Sequence, residues 1–171
     1  MTKKTEGVDP FEVLSTAYET MYERAADKIH KVHDKTDVLM HKYIDEAKDK
    51  AVELDELTEE DAEKLSAWLK RDIDDAVNHM SEADSKFIDW LGFKAELLES
   101  AFLQMLLDTA DPTTVELKQL KERAEHPHEY HTGEIAGPGT LICDECGEKL
   151  HFYKAGKIPP CPKCHETRYH R

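Results

Sequence analysis

The chain has 171 residues, enough for one ordinary domain or two small ones, with 39% apolar and 35% charged residues and a formal net charge of −14. From Pro127 onward six acids face six bases, so the whole −14 sits before that point. A body this acidic repels phosphate backbones, which disfavours nucleic acid as a default partner. The absence of any run of about 18 apolar residues excludes a helical membrane span.

Residues 1–8 are polar, lack the apolar core of a signal peptide and read as a disordered lead. The chain is expected to be cytoplasmic. Asp9-Pro10 supplies an N-cap and a first-turn proline. A stripe at helical spacing follows: Phe11, Leu14, Tyr18, Met21, Ala25, Ile29, Val32, Thr36, Leu39 and Tyr43. No Gly or Pro interrupts residues 11–91, so the spacing predicts a long first helix reaching about Leu57. Thr58 then reads as an N-cap, with Asp61 in the third position of a near capping box. The next stripe is Ala62, Leu65, Leu69, Ile73 (or Asp72), Ala76 and Met80, flanked by Trp68 and Val77. It resumes with Phe87, Trp90, Leu91, Leu98, Phe102, Met105 and Leu106, so residues 59–108 form one bent helix or two. Asp111-Pro112 opens a shorter helix through about Ala124, and His126-Pro127 stops it.

These signals predict a mostly α chain: a long antiparallel helical hairpin or coiled-coil-like bundle, then a small β unit. The expected divisions are an acidic helical region at 9–125, a hinge at 126–131 and a ribbon at 132–171. In the ribbon, glycines and prolines punctuate short apolar pieces at 134–136, 140–142 and 149–153.

All four cysteines lie in this last part, as Cys143-Asp144-Glu145-Cys146-Gly147 and Cys161-Pro162-Lys163-Cys164-His165. Two residues between cysteines let a tight turn aim both sulfurs at one ion, and the 14 residues between the pairs suit a hairpin. In a reducing compartment the pattern denotes one metal site, rather than two disulfides or a lone redox pair. Four thiolates suit zinc best and leave it no open position, so the ion is expected to be structural. Iron, the alternative metal, would make the site a rubredoxin-like electron carrier. Gly147 falls where the backbone tends to need positive φ; at the matching place after the second pair stands His165, one of the few non-glycine types that tolerate it.

The segment His131-Thr132-Gly133-Glu134-Ile135-Ala136-Gly137-Pro138-Gly139-Thr140-Leu141-Ile142-Cys143, with Pro160-Cys161-Pro162-Lys163-Cys164, resembles an uncharacterised bacterial zinc-ribbon-containing protein family. Leu57-Thr58-Glu59-Glu60 and Leu69-Lys70-Arg71-Asp72-Ile73 are similar to its helical part. The resemblance implies an acidic helical region before a ribbon with zinc on the four cysteines, and implies no assigned activity.

Other constellations are weaker. His30, His33, Asp37 and His41 share a helix face directed away from the apolar stripe, which reads as solvated. His126, His128, Glu129 and His131 cluster at the hinge and read as polar linker before a second metal site. Tyr130 and Ile135 are expected to pack onto the ribbon or the helix end. The function expected is therefore non-enzymatic: a protein–protein adaptor or regulator, able to oligomerise through its helices. The competing expectation is nucleic-acid binding along Lys149, Lys154, Lys157, Lys163, Arg168 and Arg171, with Phe152, Tyr153 and Tyr169 for stacking.

Overall fold

The computed structural model describes residues 9–30, 37–80 and 129–171. Helix α1 spans Pro10–His30, α2 spans Asp37–Glu53 and α3 spans Glu59–Met80. The apolar positions expected between Phe87 and Leu106, and the helix expected from Asp111, lie outside the described residues.

The starts of α1 and α3 are each set by a cap. The Asp9 carboxylate accepts from the Phe11 N–H at 3.0 Å, with Pro10 in the first turn where its missing N–H costs nothing. At α3 the Asp61 N–H donates to Thr58 Oγ1 at 3.1 Å, while that hydroxyl donates to the Asp61 carboxylate at 2.9 Å. Between them, the turn that follows α2 contains a left-handed residue, Asp55, at φ 54°. Its N–H donates to the Val52 carbonyl, and the next N–H, of Glu56, reaches back to the Ala51 carbonyl, both at 3.0 Å. This pair of bonds satisfies carbonyls that a helix end would otherwise leave without partners.

The single long first helix is corrected: the chain instead forms α1 and α2, packed antiparallel. Arg24 on α1 holds Glu56 beyond the end of α2 by two bonds of 2.7 Å, and Lys28 near the far end of α1 pairs with Glu46. The reason is that one long helix cannot bury its stripe on itself. Tyr18, Met21, Tyr22, Ala25 and Ala26 are buried on α1, and Met40, Ile44, Ala47 and Ala51 on α2. At 100° per residue a straight helix through both would set the two groups on one overlapping face, their mean directions about 40° apart. Two helices facing one another bury both groups. The described helices are therefore three, not the two arms of a hairpin, and α3 runs antiparallel to α2. Lys48 pairs with Glu63 at 2.9 Å, Lys70 with Asp45 at 2.6 Å and His41 with Asp74 at 2.9 Å, in descending register. On α3, Ala62, Leu65, Leu69, Ile73 and Ala76 are all buried, and Trp68 packs half-buried beside them.

The C-terminal part holds six short strands. They are β1 (Tyr130–His131), β2 (Ile135–Ala136), β3 (Gly139–Cys143), β4 (Lys149–Phe152), β5 (Gly156–Lys157) and β6 (Arg168–His170). One antiparallel sheet has the order β1-β6-β3-β4, and β2 pairs with β5 in a second. Ile135 and Ala155 join the helical core, whereas Tyr130, Ala136, Leu141, Ile158 and Tyr169 close a second core around Cys143 and Cys161. The ribbon thus sits on α1 and α3, and Tyr130 and Ile135 pack as expected. Of the hinge expected at 126–131, residues 126–128 lie outside the described residues; Glu129 is exposed, and Tyr130 and His131 form β1.

Candidate metal centre and the ribbon–helix junction

Cys143 ends β3 and Cys146 follows in the turn to β4; Cys161 and Cys164 occupy the matching turn before β6. The two turns are built alike. The Gly147 N–H donates to the Cys143 carbonyl at 3.0 Å, and the His165 N–H donates to the Cys161 carbonyl at 2.9 Å. Gly147 has φ 72° and His165 has φ 63°, so His165 takes the left-handed conformation expected of it. Two further bonds of 2.9 Å, from the Cys143 N–H to Glu148 and from the Cys161 N–H to Glu166, complete each knuckle.

The four sulfurs all lie within 4.8 Å of one another. Across the two turns, Cys143 and Cys164 are 3.5 Å apart at Sγ, and Cys146 and Cys161 are 3.6 Å apart. A tetrahedron with metal–sulfur bonds of about 2.3 Å has edges of about 3.8 Å. The cysteines are free, and their donor set fits one thiophilic ion. Burial pushes the Cys161 thiol up, but the N–H groups of Cys164 and Lys163 outweigh it and, with the Cys146 sulfur, bring it down to about 6. Amides aimed at the sulfur favour the thiolate that ligation requires. Among the described residues these four cysteines are the group able to hold a metal.

The histidines read in the sequence do not join them. His41, half-buried, bridges to Asp74 on α3 at 2.9 Å. The side chains of His30, His33 and Asp37 lie outside the described residues, as do His126 and His128. His131 lies 3.8 Å from Glu129 and 3.6 Å from Glu134.

The basic edge read in the ribbon is only partly assembled. Lys149, Lys154 and Arg168 are exposed. Lys157 stands over the Phe11 ring at 3.2 Å, and Lys163 faces Glu148 at 3.9 Å. Tyr169 is buried and its hydroxyl donates to the Pro159 carbonyl at 2.8 Å, so it offers no face for stacking. The Arg171 side chain is also buried, and it leads to a site that sequence reasoning missed.

At the junction of ribbon and helices a charged cluster is sealed from water. Asp72 on α3 is 1% exposed. It accepts bonds of 2.6 Å from the Tyr18 hydroxyl and from the Gly137 N–H. Arg71 lies 3.4 Å from the other carboxylate oxygen and Arg171 lies 3.8 Å from it. Arg171 also donates to the Tyr130 hydroxyl at 2.9 Å, to the Pro138 carbonyl at 2.9 Å and to the Gly137 carbonyl at 3.0 Å. Tyr130 donates in turn to Asp75, and the guanidinium groups of Arg71 and Arg171 stand over its ring at 3.8 and 5.1 Å. Burial pushes the Tyr18 phenol well above its ordinary value, and the neighbouring Asp72 adds to this. Burial likewise raises Tyr130. Burial disfavours the Arg171 charge, but Tyr130, Asp72 and Asp75 outweigh it and raise that group. One signal in the sequence marked the place: Asp72 falls seven residues after Leu65, at an apolar position of the α3 stripe.

Two matched cysteine turns on a small antiparallel sheet, seated on a helical body, define a metal-binding ribbon protein. The chain belongs to the family described as zinc-ribbon containing domain, which matches residues 27–171. Its relatives include uncharacterized proteins YbeL of Escherichia coli strain K12 and of the O157:H7 type. Each is 26% identical over 133 residues, which cover 75% of this chain and 79% of the relative. No solved structure matches the chain. Among the described residues no helix is long and apolar enough to cross a membrane.

Proposed function

We propose that the chain is a non-enzymatic protein–protein adaptor or regulator whose ribbon is shaped by one structural zinc ion on Cys143, Cys146, Cys161 and Cys164. The observation that carries this reading is the convergence of four sulfurs on one point. A shell filled by four thiolates keeps no position for water or substrate, so the ion acts as a staple. Ligand binding then supplies folding energy to a unit too small for a self-sufficient core. A reducing, cytoplasmic setting, in which such thiols persist, belongs to the same proposal. Recognition falls to the outer surfaces of the ribbon and the acidic helices, the latter also serving self-association.

Affinity purification with mass spectrometry tests the reading by comparing the intact protein with a Cys161→Ser, Cys164→Ser variant. A protein partner captured by the first and lost by the second is expected. Monomeric protein that captures no partner in either form contradicts it. Four thiolates also suit iron; zinc in protein from iron-supplemented cells is the expected outcome, and a coloured iron form would favour electron transfer instead.

A further inference from the structure

We propose that the buried cluster of Asp72, Arg171, Tyr18 and Tyr130 is a latch that couples the metal centre to the helical body. Filling the site thereby tightens α1 against α3, and emptying it loosens them. This inference rests on the reading of the four cysteines as a metal centre.

The coupling follows a short path through the backbone. Cys143 lies opposite Tyr169 in the β3–β6 pairing, and the Cys161 N–H is bonded to the Glu166 carbonyl that leads into β6. Metal ligation therefore fixes β6 from both knuckles. Two residues beyond Tyr169, Arg171 enters the junction and is held against Asp72, Tyr130 and two ribbon carbonyls. Tyr130 itself pairs with Tyr169 in the β1–β6 ladder, so both ribbon arms of the latch depend on β6. On the helical side, Asp72 ties α3 to Tyr18 of α1.

A buried carboxylate is tolerated while its partners stay in place, and removing them is costly. If β6 loosens, Asp72 loses the Arg171 guanidinium and, with the ribbon's departure, the Gly137 N–H. The helices must then open enough to hydrate it. Because coupling between two sites is reciprocal, a change at Asp72 must also weaken the metal.

The test uses the full zinc-loaded chain, with zinc affinity measured by competition against a chromophoric chelator. Asp72→Asn and Arg171→Gln are each expected to weaken zinc binding about tenfold or more. The double variant is expected to weaken it no further than the worse single variant, since both break one latch. Lys48→Ala, which removes an exposed ion pair of the same body, is expected to leave the affinity unchanged. Zinc bound by wild type with unchanged affinity in both latch variants overturns the coupling alone, whereas wild type that binds no zinc overturns the metal reading beneath it. Should Asp72→Asn fail to fold, amide exchange of the wild type decides. Chelation is expected to speed exchange around Tyr18 and Asp72 more than around the Thr58 cap. Exchange that changes equally at both places, or at neither, overturns the latch.

Discussion

His165 carries a backbone conformation that costs an ordinary L-residue about 1–2 kcal/mol, at φ 63° in a turn whose twin uses Gly147. His165→Gly should stabilise the ribbon by up to about 1 kcal/mol, whereas His165→Val, with a branched Cβ, should destabilise it by about 1–2 kcal/mol. Thermal melts of the zinc-loaded protein, followed by circular dichroism, check both signs; equal midpoints for the two variants would show that the turn bears no strain. Gly137 is needed for a different reason. A methyl group there would stand 2.8 Å from the Tyr18 hydroxyl and 3.3 Å from the Asp72 carboxylate. Gly137→Ala should cost about 1–3 kcal/mol by crowding a packed junction. The matching measurement is the urea midpoint, which should fall while the slope stays the same.

At the scale of elements, local chemistry sets the starts of α1 and α3. Thr58→Ala removes the acceptor for the Asp61 N–H and should cost about 1 kcal/mol, read as a lower melting midpoint of the helical signal. Such features were legible in the sequence because they depend on neighbours in the chain. The Asp9 and Thr58 caps, the α3 stripe and the paired cysteine turns were all readable before any fold was known. So was His165, whose place follows from the repeat of Gly147 in the second turn. The break between α1 and α2 was not legible, since residues 31–36 contain neither Gly nor Pro. The buried positions of α1 and α2 keep nearly the same helical phase across it, so the stripe reads on as if through one helix. The short strands β1 and β6 were also missed. They are two and three residues long, too short for alternation to register, and they exist through pairing across the chain.

At the scale of the whole molecule, the ribbon and the helices share a buried junction that composition hides. The acidic half and the neutral half of the chain read as two units with different jobs, yet Asp72 and Arg171 meet with almost no exposure to water. Nothing in spacing alone brings residue 72 to residue 171. The junction also sets a response to base. Tyr18 and Tyr130 have folded-state values raised well above the ordinary 10.0. Raised phenols mean that the unfolded chain loses protons first. Their contribution to stability is therefore complete below about pH 10 and is lost as pH climbs through the folded-state values. Alkaline titration of phenol absorbance should show Tyr18 and Tyr130 staying neutral until the helices unfold. Smooth ionisation of all six tyrosines near pH 10, with the helical signal intact, would contradict a sealed junction.

In the proposed centre, four cysteines close around one zinc ion and so shape the ribbon. X-ray absorption at the zinc edge, on protein of measured metal content, tests it most directly. One zinc per chain with four sulfur neighbours at about 2.3 Å is the predicted result. A shell containing nitrogen or oxygen in place of any sulfur, or protein that keeps no zinc, would contradict it.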